Sequence, residues 1–438
     1  MLKLAAAAML SVTATPLLAA DHTILFDDAH IFDGEQMIGV RDVLVEDGRI
    51  VRVAESIEAP TDAERVDGRG KTLIPGLIDS HVHVFPTAAA DALRFGVTSE
   101  FDMFNMPMPG AVVARRTHRE GLAATDEADV WSAGIGVTLP GAHPTQLAKG
   151  FGVDIPTLAN GADAAAFVKA QAEGGSDYIK IFQDESRDKD GKPRFPEFSR
   201  ERLGEIIDAA HANGRKAIVH VSTQQDARDV FELGGDAIAH MFDDVPVSQE
   251  VVGIALDRQV RLIATLSVLA GVSGDPISER LFADPAVKPF LSPVQVGMTQ
   301  AKFPRMRPEV IRNAMESVRA FHTAGVIVLA GTDAPNPTTI HGASMHQELE
   351  LLVASGMTPA EALAAATSRP ADFFEASDRG RIAAGKRADL VLVEGDPTQD
   401  ILATRRIAGI WKNGHKVDRM KMPVMPPMPA PPPPPPAK

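Results

Sequence analysis

The sequence predicts an α/β protein, a (β/α)8 TIM barrel carrying a small β-sandwich domain built from both chain ends. Three observations point to it. Between residues 73 and 330, eight apolar runs alternate with helical patterns, over about the 250 residues such a barrel occupies. Short strands punctuated by Gly and Asp-Gly lie on both sides of that stretch. Four of the apolar runs end on a side chain able to bind a metal.

Taken in order, residues 1–20 read as a secretory signal. Lys3 is the positive start, Leu4 to Leu18 is mostly Ala, Leu and Met, and Ala19-Ala20 precede Asp21 as a cleavage site. The apolar stretch is shorter than the roughly 20 residues of a spanning helix. An exported chain, periplasmic or secreted and without stable membrane insertion, is expected. Strands at 23–26, 42–45 and 49–53 are separated by Gly34, Asp47-Gly48 and Asp67-Gly68. The far end repeats this texture, with strands at 388–393 and 407–411, a Gly395-Asp396-Pro397 turn and an Asn413-Gly414 hairpin signal. Residues 21–72 and 380–420 are therefore expected to form one β-sandwich domain around a barrel at 73–379.

Barrel strands are expected at 73–84, 97–104, 129–137, 178–182, 216–221, 237–242, 262–266 and 326–330, with helices such as 202–213 and 225–233 between them. Residues 270–308 are too long for a plain connector and read as an active-site lid or an inserted helix pair. The tail 421–438, with prolines unbroken from 431 to 436, reads as a polyproline II or disordered tether.

Composition narrows the partners. The formal net charge of −14 and the lack of a Lys/Arg-rich block exclude a nucleic-acid ligand. The chain has no Cys, so it has no disulfides. Any metal must be held by His, carboxylate or a modified Lys. A small molecule or short peptide is the expected substrate, and a homo-oligomer is compatible with everything above.

His81-Val82-His83 closes the first apolar run. Residues two apart on a strand share a face, so both imidazoles project together, a geometry suited to a transition metal. Alone it is weak evidence. It gains weight because Ala217-Ile218-Val219-His220, Ala237-Ile238-Ala239-His240 and the run from Val326 to Thr332-Asp333 end the same way. Catalytic residues of such barrels gather at the C-terminal ends of strands. Lys180 sits inside the apolar strand Tyr178-Ile179-Lys180-Ile181-Phe182, where a buried ammonium is unfavourable unless paired or modified. It is either a salt-bridged lysine or an Nζ-carboxylated one bridging two metals, and the five other ligand candidates favour the second.

The chain resembles the amidohydrolase superfamily in its binuclear-metal, imidazolonepropionase-like and prolidase-like branch. The resemblance is carried by Pro75-Gly76-Leu77-Ile78-Asp79-Ser80-His81-Val82-His83, Tyr178-Ile179-Lys180-Ile181, the His220 and His240 strand ends, Gly331-Thr332-Asp333-Ala334-Pro335, and the segment from Gly380-Arg381-Ile382 to Ala388-Asp389-Leu390-Val391. It implies that His81, His83 and Asp333 bind a more buried metal, that His220 and His240 bind a more exposed one, and that carboxylated Lys180 bridges them. Two divalent ions, expected to be zinc, would activate a hydroxide for attack on the scissile carbonyl. Asp333 would accept the proton and pass it to the leaving amine.

Two further segments are expected at the substrate. His143, in Pro140-Gly141-Ala142-His143-Pro144, is placed to hydrogen-bond the carbonyl oxygen or developing oxyanion as a catalytic and substrate-binding residue. Relatives often carry a Gly-Gly-His-Gly-like segment there, and this chain departs from it. His341 lies eight residues after Asp333 and is a second substrate-binding candidate. The function expected is metal-dependent hydrolysis of an amide or peptide C–N bond in a small peptide, an N-acyl amino acid or similar. The alternatives are a lactonase or esterase on the same centre and a non-catalytic periplasmic ligand-binding protein. A mononuclear deaminase fits less well, because Val221-Ser222-Thr223-Gln224 supplies no acid after His220 and Lys180 would have no role. Phe85, Phe101, Phe104, Met103, Met106 and Met108, in the segments after the first two strands, hint at an apolar substrate pocket or at ordinary packing.

Overall fold

A computed structural model describes residues 22–105, 111–150, 152–184, 187, 192–304 and 306–424. The leader at 1–20, the proline run, Met106 and Met108 lie outside the described residues. Among those described, no helix is long and apolar enough to cross a membrane.

The N-terminal part forms β1 (Thr23–Phe32), β2 (Met37–Glu46), β3 (Arg49–Ala54), β4 (Glu64–Asp67) and β5 (Lys71–Pro75). The middle forms β6 (Leu77–Val82), β7 (Val97–Asp102), β8 (Asp129–Ser132), β9 (Ile179–Phe182), β10 (Ala217–His220), β11 (Ala237–Ala239), β12 (Arg261–Ile263) and β13 (Ile327–Leu329). The C-terminal part forms β14 (Leu390–Glu394), β15 (Ile407–Lys412) and β16 (His415–Lys416).

Strands from both chain ends share one mixed sheet of eight strands, in the order β16-β15-β14-β5-β1-β2-β3, with β4 beside β1. β14 runs antiparallel to β5, so the returning chain is zipped to the strand that leads into the middle. Alternation puts Ile24, Phe26 and Val43 in one buried cluster with Trp411, and Leu25 and Leu44 in another with Ile57. A buried ionic knot ties this sheet to the middle strands. Lys412 Nζ lies 2.6 Å from Asp129 Oδ2 and 2.8 Å from Asp389 Oδ2, and Arg379 also pairs with Asp129 at 2.7 Å.

All pairings among β6 to β13 are parallel, in a three-stranded sheet β6-β7-β8 and a five-stranded sheet β9 to β13. Both seams between them carry backbone bonds. Val137 bridges Ile181 on one side, with Val137 N–H donating to the Lys180 carbonyl at 2.7 Å. On the other, Val82 bridges Ala334 and Asp333 N–H donates to the His81 carbonyl at 2.8 Å. Helices such as Arg200–Ala212 and Gln224–Glu232 lie between successive strands. The second begins at Thr223 in a capping box with Asp226, a local start signal that the sequence carries openly.

Two strand expectations need correction. The run 73–84 is two strands parted at Gly76, where a Cβ would stand 2.2 Å from Thr98 Oγ1. β5 belongs to the outer sheet and β6 to the parallel set. The run 129–137 is a strand only as far as Ser132, because Gly134 and Gly136 turn with φ of +68° and +67°. A Cβ on Gly136 would lie 2.7 Å from the Phe182 ring, so the chain must pass β9 closely there. Within 270–308, helices Ile277–Ala283 and Pro293–Met298 pack Leu281, Phe282, Val287 and Leu291 against Phe95 and Ile340. This is the inserted-helix alternative, with a core of its own.

Candidate metal centre

The strand ends converge on one cluster. His81 lies within β6 and is fully buried, and His83 follows the strand. Both rings reach Asp333, as the i, i+2 spacing expects, although the pairing with β7 shifts register between Asp79 and Val82. Asp79 holds this irregular segment. Its buried carboxylate accepts from His81 N–H (3.2 Å), Thr332 N–H (3.0 Å) and Thr332 Oγ1 (2.7 Å). It thus locks the His81 segment to the turn that carries Asp333. Burial raises the Asp79 carboxyl to about 7. Asp79 and Thr332 escaped sequence reasoning, although an acid inside an apolar strand needs a buried partner and could have flagged them.

Asp333 is the hub. Its Oδ1 lies 2.9 Å from His83 Nε2 and 3.4 Å from His81 Nε2, and its Oδ2 lies 3.8 Å from His240 Nδ1. Both His240 and Asp333 adopt left-handed backbone, φ +73° and +55°, uncommon for residues other than Gly, Asn and Asp and typical of strained functional positions. His240 Nδ1 is 2.9 Å from Thr265 Oγ1, which orients the ring. The ring centroids of His240 lie 4.5 Å from His81 and 4.8 Å from His220. His220 ends β10, and His143 stacks on it at 5.1 Å. His143 Nδ1 is 2.8 Å from Gln146 Nε2. Phe182, Phe195 and Phe104 surround these rings.

The electrostatics suit cations. Burial lowers His81 to about 3 and His143 to about 4, and pushes His220 and His240 well below their ordinary value. Near neutral pH these rings are the neutral imidazoles that metals require. Burial alone would raise the Asp333 carboxyl, but His240, His81 and His83 outweigh it and hold it well below the carboxylate range. Burial lowers the Lys180 amine to about 7. Lys180 Nζ and both ring nitrogens of His81 are buried without a hydrogen-bond partner among the described residues. Such orphaned groups call for an unseen partner. Ligand atoms of His81, His240 and Asp333 lie within 4.8 Å of one another. A divalent cation fits this donor set.

His341 is not among the contacts of this cluster. It is buried, its Nδ1 lies 2.7 Å from Glu100 Oε1, and its carbonyl accepts from Gln295 Nε2. Burial would lower it, but the Glu100 carboxylate holds it above its usual value. The pairing with Glu100 joins it to β7 in the interior, and its Nε2 has no hydrogen-bond partner among the described residues. Of the apolar candidates, Phe101 and Met103 are fully buried core, and Phe85 lines an outer groove of about 460 Å³. Phe104 stands by His83, with ring centroids 6.3 Å apart.

The model of the Amidohydrolase family matches residues 72–418. Ochratoxinase from Aspergillus niger is 23% identical over 389 residues, 79% of this chain and 75% of that enzyme. Adenine deaminase from Lysinibacillus sphaericus is 40% identical over 74 residues, 17% of this chain and only 12% of that enzyme. Among solved structures, a Xaa-Pro dipeptidase with bound methionine superposes with a TM-score of 0.69 at 21% identity, covering 90% of this chain and all of that one. The parallel strands and helices therefore form a TIM-barrel-type α/β fold.

Proposed function

This chain belongs to the amidohydrolase family and is an enzyme acting on C–N bonds, and on that premise we propose that it hydrolyses the amide bond of a small peptide, an N-acyl amino acid or a similar compound at a two-metal site. One observation carries this reading. The ends of the parallel strands bring His81, His83, His220, His240 and Asp333 together, and the Lys180 amine, which has no hydrogen-bond partner among the described residues, acts electrostatically on His81, His220 and His240.

His81, His83 and Asp333 would hold one divalent ion, His220 and His240 a second, and Nζ-carboxylated Lys180 would serve both. Carboxylation suits Lys180, because the uncharged amine is the form that adds carbon dioxide and burial favours that form. Bound ions of this kind, zinc by the nitrogen-rich donor set, acidify water and polarise a carbonyl. The rest is the work of the chain. Asp333 stays ionised and takes the proton of the attacking water at a carboxylate oxygen, then gives it to the departing nitrogen. His143, steadied by Gln146 and stacked on His220, offers its other ring nitrogen to the carbonyl oxygen as negative charge develops there. Phe104, Phe182 and Phe195 keep water sparse and favour an apolar group on the acyl side.

The backbone bonds at both seams support a closed eight-stranded barrel, and the β14-to-β5 zipper supports a second domain made from both chain ends. An esterase or lactonase activity of the same centre is the alternative. Elemental analysis together with a panel of dipeptides, N-acyl amino acids, esters and lactones tests the proposal. Two metals per chain and turnover of amides are expected. Tight metal binding with no turnover of any member would favour a binding protein.

A further inference from the structure

We infer that Glu348 is a positioning residue for the metal centre, closing the start of the helix Leu266–Ser273 from outside and so leaving the Thr265 hydroxyl free to hold His240. This rests on the metal centre proposed above, though not on its substrate.

Other helices of this chain begin on a hydroxyl. Ser199, Thr223, Ser248 and Thr358 each stand just before a helix in extended backbone, and each side-chain oxygen accepts from a backbone N–H of the first turn. Thr265 occupies the same place before Leu266–Ser273 and does neither. Its backbone is left-handed, with φ of +47°, and its hydroxyl does not cap the helix. Oγ1 lies instead 2.9 Å from His240 Nδ1. A β-branched residue avoids that backbone, and a helix start without its cap has N–H groups in need of acceptors.

Glu348 meets that need. It lies on Ala343–Ala354, the next helix after Asp333, and is fully buried. Its Oε1 accepts from Leu266 N–H at 3.0 Å and its Oε2 from Ser267 N–H at 2.7 Å. These are the first two amides of the uncapped helix. Burial raises the carboxyl to about 8, and both of its forms retain acceptor capacity for the amides. With those amides satisfied from a second helix, Thr265 has no capping role to fill. Without Glu348, the Thr265 hydroxyl becomes the local acceptor for the helix start, and it can serve there only by leaving His240.

The test is a double-mutant cycle on the full-length protein, read as zinc affinity by competitive chelator titration. Glutamine keeps the shape of Glu348 but has one accepting atom and turns an NH2 toward the second amide. Glu348→Gln should therefore weaken zinc binding by about 10-fold or more, the loss expected when the orienting partner of a metal-bound histidine is removed. Adding Thr265→Val should weaken it little further, because both changes take the same bond from His240. Independent effects would multiply to about 100-fold or more, and that outcome would overturn the inference. So would a fall in the urea midpoint of the metal-free Glu348→Gln protein with zinc affinity unchanged, which would make Glu348 a residue of the fold alone. Glu348→Asp, one methylene shorter, should give the same pattern, and it completes the cycle if the glutamine variant does not fold. A wild type that binds no zinc would instead remove the metal centre, and this inference with it.

Discussion

His83 Nε2 stands 2.9 Å from Asp333 Oδ1, joining the residue just after β6 to the turn that follows β13. The contact spans the seam between the two parallel sheets. It is supported from below by Asp79, whose carboxylate binds the backbone of both His81 and Thr332. Cluster and seam are therefore one construction, and changes at either should be felt at the other.

Asp333→Asn should keep the fold and lose turnover. Asparagine preserves shape but cannot carry the proton, so kcat and kcat/KM should fall together, by about 10²-fold or more. Circular dichroism and metal content must match the wild type for the loss to be chemical. Full metal with near-normal kcat would move the proton role elsewhere, and His143 would be tested next.

Lys180→Ala should reduce bound metal, measured by elemental analysis, and abolish activity. Acetate or bicarbonate should restore part of both, by standing in for the missing carboxylate. Wild-type activity without such rescue would remove Lys180 from the site.

Thr265→Val deletes the hydroxyl 2.9 Å from His240 Nδ1 while keeping the branched shape. Loss of such an orienting bond typically weakens metal binding by about 10- to 100-fold. A competitive chelator titration reads this directly. An unchanged affinity would show that packing alone orients the ring.

Lys412→Met strips the fully buried ammonium from Asp129 and Asp389. Breaking a buried ionic contact from one side costs about 3–5 kcal/mol, here reduced because Arg379 still pairs with Asp129. Urea unfolding should show a clear drop in midpoint, with metal affinity kept at the far ends of the strands. An unchanged midpoint would mean that the knot contributes nothing to joining the outer sheet to the barrel strands.

His346 is buried beneath Phe95, whose carbonyl lies 3.1 Å from Nε2. Burial, with Arg405 and Arg419 nearby, lowers it from 6.5 to about 3. The folded state therefore keeps the ring neutral while the unfolded chain takes up a proton near 6.5. Its contribution to stability is full above that pH and is lost as pH falls toward 3, by about 1.4 kcal/mol per pH unit. His346→Gln, which can still donate to Phe95, should flatten the decline in stability between pH 6.5 and 5. An identical decline in the variant would assign it to other groups.

Much of the architecture was legible in the sequence because it is local. Apolar runs with turn residues between them mark strands, and the runs ending at His220, His240 and Asp333 place those residues where parallel strands stop. The capping box at Thr223 marks its helix in the same way. Residues far apart in the chain tell a different story. Gly76 splits one apolar run into strands of two sheets because Thr98 passes within a Cβ's reach, a fact about β7 rather than about the run itself.

The sequence by itself determined which side chains were available to a metal, and that Lys180 needed a reason to sit in an apolar strand. Only the tertiary structure decided how they meet. It brought Asp333 against both His81 and His83, set Asp79 and Thr332 beneath them, and turned His341 inward to Glu100. It also brought Asp184 beside Ser222, across 38 residues of chain. Hydrophobic periodicity is written residue by residue along one element. The partner of a buried polar group is chosen by whichever strand or helix packs against it, and that choice exists only once the chain has closed on itself.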